Sequence, residues 1–414
     1  MRRICIYNPL QSLFLALPPS MFVVRVTLSV LTVLLLQACG GGAKPADALG
    51  NDSALSAAAQ LGQAIFHDSA LSASGRMSCA SCHDPARGHA SPFATAVAFG
   101  GVGFPADRSD AASGLRAAPA IRYLRYNSGF RIEADGTPRG GFFWDGRANS
   151  LAEQAQKPFL AANEMANANA ADVVAKLARA PYAERFRQVF GEDILSDPNR
   201  ALERMGFALE RYQLEDADFA PFSSKFDAVN AGRARFSDAE LRGLAWFNRR
   251  DKGNCAACHP STKPANAPAA LFTDFSYDSL GVPRNAAIAA NRDPLFFDLG
   301  LCGPARGELS ARTDLCGRFK VPSLRNVALR THFFHNGRFD SLAEVLRFYV
   351  TRDTQPSQWY PGPVYDDLPA AMRGNVNVSE GPYNRRPGQA AALTDAELSD
   401  LLAFLNTLTD GYTP

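Results

Sequence analysis

Two short cysteine motifs are the clearest chemical signals in the sequence. Cys79-Ala-Ser-Cys82-His83 and Cys255-Ala-Ala-Cys258-His259 both read Cys-x-x-Cys-His. At this spacing two thioethers hold the vinyl groups of a haem, and the histidine that follows ligates its iron. A four-cysteine zinc site and thioredoxin-like redox pairs are the alternatives, but neither needs a histidine directly after both pairs. The sequence therefore predicts two covalently attached c-type haems.

The sixth coordination position of each iron decides whether the haem transfers electrons or binds an oxidant. Few side chains are available for this position, since the remaining histidines stand at 67, 89, 332 and 335. After the second motif the only methionine is Met372, which lies between a proline and a glycine. A conventional His/Met electron carrier in the C-terminal half would depend on Met372. His89 is interpreted as a surface histidine or one that contacts a haem propionate.

Two further cysteines, Cys302 and Cys316, enclose a short loop and have no neighbouring histidine. In an oxidising compartment such a pair is expected to form a disulfide. Two buried free thiols are the alternative.

The N-terminus has the pattern of an export signal. Arginines flank an apolar run, Val26 to Leu36, that is too short to span a bilayer. The run leads into Leu36-Gln37-Ala38-Cys39-Gly40, which resembles the lipobox of bacterial lipoproteins. We therefore predict a signal peptide over 1–38, a lipid on Cys39, a tether over 39–52, and a periplasmic protein anchored to a membrane, the outer one favoured. A simple cleaved signal is the alternative, and translation could start at Met1 or Met21.

The rest of the chain is predicted to be mostly helical. A Ser or Thr followed three residues later by Glu, the capping-box pattern, opens four segments: Ser150 with Glu153, Ser237 with Glu240, Ser341 with Glu344, and Thr394 with Glu397. Other apolar helices are expected around Leu61 and Phe66, and around Leu241 and Phe247, before the two cysteine motifs. No comparable set of alternating strands is present.

Length and composition fit two globular domains, predicted at 53–225 and 226–414. The chain has 414 residues, of which 46% are hydrophobic. Its 43 Lys and Arg against 41 Asp and Glu leave a formal charge of +2, so no basic excess indicates a nucleic-acid partner.

Several longer motifs resemble the bacterial di-haem cytochrome c peroxidase superfamily, and within it the MauG/MbnH branch. They are Phe143–Ala148, Leu151–Ala155, Asn163–Met165, Val321–Leu329 and Phe334–Gly337. The similarity extends from about Leu61 to Leu408. It implies an all-α fold of two cytochrome c-like domains with one covalent haem each, peroxidatic in the N-terminal domain and electron-transferring in the C-terminal domain.

Tyr349 stands fourteen residues after His335. Classical peroxidases of the superfamily carry a methionine ligand at this position, and the MauG branch carries a tyrosine. The resemblance therefore implies that Tyr349 ligates the haem iron of His259. Helical periodicity also places Tyr349 on the apolar face of its helix, where an ordinary core tyrosine is the alternative. An anionic oxygen ligand is expected to stabilise highly oxidised iron better than a thioether.

The haem of His83 is then expected to be open to peroxide. By resemblance, Gln154, Pro158 and Glu164 line its pocket, with Glu164 as the proton shuttle between the peroxide oxygens and Gln154 as a hydrogen-bond donor to bound oxygen. Without the resemblance, Gln154 and Glu164 would be assigned to polar helix surface. Trp144 matches the tryptophan that lies between the haems and relays electrons; otherwise it would be assigned to packing, as Trp246 is.

The resemblance also implies partners. The superfamily holds a calcium ion on carbonyl oxygens that match Arg330 and His332, where threonine and proline are usual, and its asparagine ligand has no clear match near Tyr123 to Asn127. Calcium is therefore an additional candidate ion. The segment Asp366–Asn377 resembles MbnH-like proteins, which accompany a small copper-binding protein.

The resemblance therefore implies an oxidoreductase that reacts with hydrogen peroxide, forms a bis-ferryl state, and oxidises a residue of a partner protein, most simply tryptophan, by long-range electron transfer. Two other functions remain open. The first is a peroxidase supplied with electrons by a small cytochrome, and the second is a non-catalytic di-haem electron carrier.

Overall fold

A computed structural model describes residues 54–93 and 114–413. From Ala54 onward the chain forms one compact unit. The predicted signal peptide, the lipid site Cys39 and the tether lie outside the described residues. Within the described ranges, no helix is both long enough and apolar enough to cross a membrane.

The described residues contain eleven α-helices and only four short strands, in agreement with the predicted all-α class. The helices are α1 Ala57–His67, α2 Cys79–Cys82, α3 Leu151–Leu160, α4 Ala170–Leu177, α5 Ala183–Phe190, α6 Pro198–Glu215, α7 Lys225–Asn230, α8 Asp238–Asn248, α9 Leu342–Thr351, α10 Pro356–Trp359 and α11 Asp395–Asn406. The antiparallel pairs are β1 Arg131–Ile132 with β2 Pro138–Arg139, and β3 Tyr277–Asp278 with β4 Phe319–Lys320.

All four capped helix starts are confirmed. The side chains of Ser150, Ser237, Ser341 and Thr394 each accept a hydrogen bond from the backbone N–H three residues later, at the starts of α3, α8, α9 and α11. In α8 and α11 the glutamate also accepts from the backbone N–H of the capping residue, so the reciprocal box is complete. Each cap satisfies amide groups that have no partner within the helix.

The first hydrophobic core is built on the crossing of α1 and α6. Leu61 and Phe66 of α1 are buried with Phe159 and Leu209. The two helices approach so closely at Gly62 that a Cβ atom there would lie 2.0 Å from the carbonyl oxygen of Ala208. Only glycine allows this approach, which places α1 directly before the first cysteine motif.

The second core repeats the same arrangement with α8 and α11. Phe247 packs on Phe404 at a ring-centroid distance of 5.2 Å. A Cβ atom at Gly243 would lie 2.0 Å from the carbonyl oxygen of Asp400, so this crossing also requires glycine. The predicted helix around Leu241 is therefore confirmed, although Leu241 itself is 57% exposed and Trp246 is only half-buried.

The first core contains residues between Leu61 and Phe219, and the second contains residues between Phe226 and Leu408. The predicted domain boundary falls between these two sets and stays a prediction. A disulfide joins Cys302 and Cys316 in the loop region before β4.

Candidate active site

The first cysteine motif lies in the wall of an apolar cavity. Cys79, Cys82 and His83 all line it, and the two cysteines are free thiols. Burial raises the pKa of both thiols to about 12. Burial also lowers the pKa of His83 to about 4, so the imidazole is neutral, which is the form that binds a metal.

The second motif lines a separate cavity with the same donor set, Cys255, Cys258 and His259. The Nδ1 atom of His259 is 2.8 Å from the carbonyl oxygen of Phe272. With the proton on Nδ1, the histidine donates this hydrogen bond and leaves Nε2 free for a metal. Tyr349 lines the same cavity, and burial raises the pKa of its phenol.

Two free thiols and a neutral imidazole in one apolar wall are the protein groups that a c-type haem needs. Each cavity provides this set, so the residues present fit one haem each. Burial disfavours the anion of the Tyr349 phenol and so raises its pKa. A metal cation beside it supplies the charge that a phenolate requires.

The predicted pocket residues lie together in the first cavity. Gln154 and Pro158 are four residues apart on α3, so they share one helix face, and both line the cavity. Pro158 has no backbone N–H, which leaves the carbonyl of Gln154 without its usual helical donor. Glu164 lies in the loop after α3 and faces the same space.

Glu164 is a half-buried residue whose carboxyl group is largely withdrawn from water. Burial raises the pKa of Glu164, and the positive charge of Arg147 only partly opposes this effect. A carboxyl group with a raised pKa holds a proton more firmly than an exposed one, and it can both accept and donate a proton. Its position and chemistry are those required of a proton shuttle.

Trp144 lies in the walls of both cavities. The indole Nε1–H donates to the carbonyl oxygen of Ala117 at 2.7 Å, and the side chain is only 6% exposed. The backbone carbonyl of Trp144 accepts from the N–H of Lys320 in β4 at 2.9 Å. Residues distant in sequence therefore fix the indole between the two candidate haem sites.

The loop that carries Trp144 occurs twice. Phe142–Ala148 and Phe333–Phe339 each begin with two phenylalanines, contain Gly-Arg, and close through an antiparallel bridge between their first and last residues. In both loops the second phenylalanine and the glycine have φ between 62° and 69°. His335 takes the place of Trp144 in the second copy.

A serine-capped helix that begins Ser-Leu-Ala-Glu follows each loop: Ser150 caps α3 and Ser341 caps α9. Pro158 and Tyr349 each stand eight residues after the capping serine. The two residues therefore occupy equivalent positions, and each lines the cavity of its own half. Proline offers no ligand atom, whereas tyrosine offers a phenolic oxygen, so the two cavities are chemically unequal.

One expectation needs revision. His89 is not a surface residue, since it is 1% exposed and packs on Phe219 with ring centroids 4.3 Å apart. At the position expected for calcium, the guanidinium of Arg330 donates to the carbonyl oxygen of His332, from Nε at 3.3 Å and Nη2 at 3.2 Å.

Calcium needs about six to eight oxygen ligands. Within 54–93 and 114–413, no group of three or more His, Cys, Asp or Glu side chains is placed to hold a metal ion. The carbonyl oxygen of His332 accepts the two hydrogen bonds from Arg330, and calcium at this position stays a prediction. The ion is implied by the resemblance alone.

The sequence motifs did not reveal Tyr383 as a residue of the second cavity, and they identified Arg330 only through its backbone carbonyl. Arg330 and Tyr383 both line this cavity, and the ring centroid of Tyr383 is 5.8 Å from that of Tyr349. Tyr383 follows a loop of irregular structure, where no periodic signal exists. The equivalence of Pro158 and Tyr349, by contrast, could have been found by aligning the two Ser-Leu-Ala-Glu segments of the sequence.

Comparison with known proteins agrees with this geometry. A family model described as di-haem cytochrome c peroxidase matches residues 56–235. The methylamine utilization protein MauG of Paracoccus denitrificans is 35% identical over 300 residues, which cover 72% of this chain and 75% of that protein. The chain belongs to the di-haem cytochrome c peroxidase family.

Solved structures show similarity over most of this chain. The di-haem peroxidase BthA from Burkholderia thailandensis has a TM-score of 0.79 and 44% identity, and covers 86% of each chain. A MauG-like protein associated with microbial copper homeostasis has a TM-score of 0.58 and 25% identity, over 89% of this chain and 93% of that one. Cytochrome c peroxidases also occur among the relatives. This family member is therefore a haem-dependent oxidoreductase with two cytochrome c-like domains.

Covalent attachment of both haems can be tested by mass. We expect the intact denatured protein to retain two haems, and the double variant Cys79→Ser/Cys82→Ser to retain one, because thioether bonds survive unfolding. Intact-mass spectrometry after acid denaturation measures this directly. Replacing Cys302 and Cys316 with serine is the matched control and should leave two haems. Release of either haem from the unmodified protein by acid would contradict the prediction.

Proposed function

We propose that this chain is a periplasmic, peroxide-dependent di-haem oxidase that stores two oxidising equivalents as a bis-ferryl state and uses them on a residue of a partner protein, most simply a tryptophan. One observation carries the proposal: Pro158 and Tyr349 occupy equivalent positions in two cavities that share Trp144. A haem held by Cys79, Cys82 and His83 would supply the reaction with peroxide in the first cavity.

Three residues of the first cavity have different roles in the proposed reaction with peroxide. Glu164 would accept a proton from one oxygen of hydrogen peroxide and return it to the other oxygen, which leaves as water, so heterolytic cleavage of the O–O bond would be favoured. Gln154 donates a hydrogen bond from its amide, which orients the oxygen that remains. Pro158 offers no ligand atom in this cavity, so it would leave room for peroxide at a haem held by His83.

Electron transfer depends on Trp144, which lies in the walls of both cavities, and on Tyr349 in the second cavity. Trp144 is a readily oxidised side chain in the walls of both cavities, so it can couple the two sites electronically. Tyr349 supplies an oxygen ligand that stabilises a high oxidation state in the second cavity. We infer that a protein substrate reacts at the surface by long-range electron transfer and does not enter either cavity.

The names of the relatives indicate which partner protein to test first. The relative MauG is a methylamine utilization protein, and a structural relative is associated with microbial copper homeostasis. We infer that this chain also acts on another protein, with a small copper-binding protein as the first partner to try. A lipid on Cys39 would place the enzyme at a membrane, with the outer membrane favoured.

A second function is favoured by the peroxidases among the relatives. In this alternative the enzyme reduces hydrogen peroxide with electrons from a small cytochrome, and the second haem serves only to receive them. A methionine or histidine ligand opposite His259 would suit that role, and Tyr349 suits it less well. An electron carrier without enzymatic activity would need both irons to be fully ligated.

The EPR spectrum of the ferric holoprotein separates these functions. We expect one high-spin haem, from the open first site, and one low-spin haem, from the site capped by Tyr349. Addition of peroxide without any reductant should then remove both ferric signals, because both irons are oxidised. Two low-spin signals that do not respond to peroxide would leave only the electron carrier, and loss of the high-spin signal alone would favour the peroxidase.

A further inference from the structure

Arg330 lies in the region between the two candidate haem sites. Its side chain lines the second cavity, and its positive charge also contributes to lowering the pKa of His83 in the first, where burial is the main cause. The guanidinium is itself buried, and this burial lowers the pKa of Arg330 to about 10. The group nevertheless stays positively charged at neutral pH.

No carboxylate of the described residues forms an ion pair with Arg330, and its hydrogen bonds go only to the carbonyl oxygen of His332. Its counterpart in the duplicated loop segment is Arg139, three residues before the first Phe-Phe pair. Arg139 pairs with the carboxylate of Asp274 at 2.8 Å. A buried cation without a counter-charge is costly, so Arg330 requires an anionic partner that the polypeptide does not supply.

We propose that the guanidinium of Arg330 is a built-in cation between the two haem sites, where it pairs with haem carboxylates and takes the place of a calcium ion. A haem carries two propionate groups, and the family fold brings two haems to this region. Arginine suits the role because its planar guanidinium can bind two carboxylates through separate N–H groups. The inference rests on haem in both cavities, as the proposed function requires, but not on any particular partner protein.

The remaining calcium ligands of the family are also altered here. Tyr123 stands in the segment where an asparagine ligand is expected, and its hydroxyl donates to the carboxylate of Asp410 at 2.8 Å. The carbonyl oxygen of His332 is occupied by Arg330. A tethered cation therefore lies beside a carbonyl oxygen that a diffusible ion would use.

Calcium analysis of the holoprotein tests the proposal without any variant. After gel filtration in calcium-free buffer we expect far less than one calcium per chain by inductively coupled plasma mass spectrometry. Addition of EGTA should leave the ferric optical and EPR spectra unchanged. About one retained calcium per chain, or a spectral change on chelation, overturns the proposal. Neither result depends on oxidase activity, so failure of the proposed function would be recognised separately.

Charge variants test the electrostatic part. A fixed positive charge near a haem favours the reduced iron, so Arg330→Gln should shift the midpoint potentials of both haems to lower values. Arg330→Lys keeps the charge and should stay close to the unmodified protein. Arg338→Gln removes an exposed arginine from the same segment and should shift neither potential, because water screens it. Unchanged potentials in Arg330→Gln would rule out the assigned role.

Discussion

Replacing Glu164 with glutamine is expected to slow the reaction with hydrogen peroxide by about 10² to 10⁴ fold, the usual contribution of a positioned acid–base group. Glutamine preserves the size and most of the polarity of the side chain but cannot accept and release a proton. Stopped-flow absorbance after mixing ferric protein with peroxide measures the rate. Cyanide affinity should change little, because the open iron position is not altered.

The rate of reaction with peroxide should also depend on pH, in a direction that the pKa of Glu164 determines. The pKa of Glu164 is raised by burial, so the carboxylate that accepts the first proton is lost on acidification at a higher pH than for an exposed glutamate. The peroxide rate should therefore fall as the pH decreases through this raised pKa. In Glu164→Gln that decrease should disappear, since no group remains to titrate there.

Glu203→Gln on α6 is a suitable control, because this glutamate is exposed and lies outside the cavity wall. It should leave both the rate and its pH profile unchanged. A Glu164→Gln variant that reacts with peroxide as fast as the unmodified enzyme would show that another group moves the proton.

Local signals in the sequence predicted the elements that carry the site, because each signal acts over a few residues. The four capped helices are examples: a hydroxyl and a backbone amide three residues apart determine where α3, α8, α9 and α11 begin. The cysteine motifs are similarly local. Their chemistry depends on five consecutive residues, so no tertiary information was needed to recognise it.

Features that depend on distant contacts could not be obtained in this way. The burial of His89 results from Phe66 and Phe219, which are far from it in sequence and enclose it in the fold. The placement of Trp144 depends in part on Ala117 and Lys320. Nothing in the spacing of these residues indicates that they meet, and only the family resemblance pointed to Trp144.

Surface exposure on a short helix was equally hard to predict. Leu241 lies on the apolar stripe expected for α8, but the close contact with α11 is made at Gly243 and Phe247. This contact sets the rotation of the helix about its axis and leaves Leu241 in solvent. A stripe of apolar residues identifies the helix, whereas the glycine determines which side is buried.

Replacing Tyr349 with phenylalanine is expected to abolish the low-spin ferric signal and convert the second haem to a high-spin form. Phenylalanine fills the same space on α9 but has no oxygen to bind the iron. Reaction of the first site with peroxide should continue, since Gln154, Pro158 and Glu164 are unchanged. The oxidised state that forms should decay faster than in the unmodified enzyme, because its second site lacks the oxygen ligand. EPR and time-resolved optical spectra measure both effects.

Tyr383→Phe provides a stringent control for this variant. Tyr383 lines the same cavity, and its ring centroid is 5.8 Å from that of Tyr349, so it is the nearest competing phenol in the described part of the chain. Tyr383 stands on an irregular loop. Tyr349 stands on α9, at the position equivalent to Pro158 on α3. If the low-spin signal is lost in Tyr383→Phe and kept in Tyr349→Phe, the iron ligand is Tyr383 and the assignment to Tyr349 is wrong. The asymmetry between the two cavities would then have to be explained without the duplicated helix.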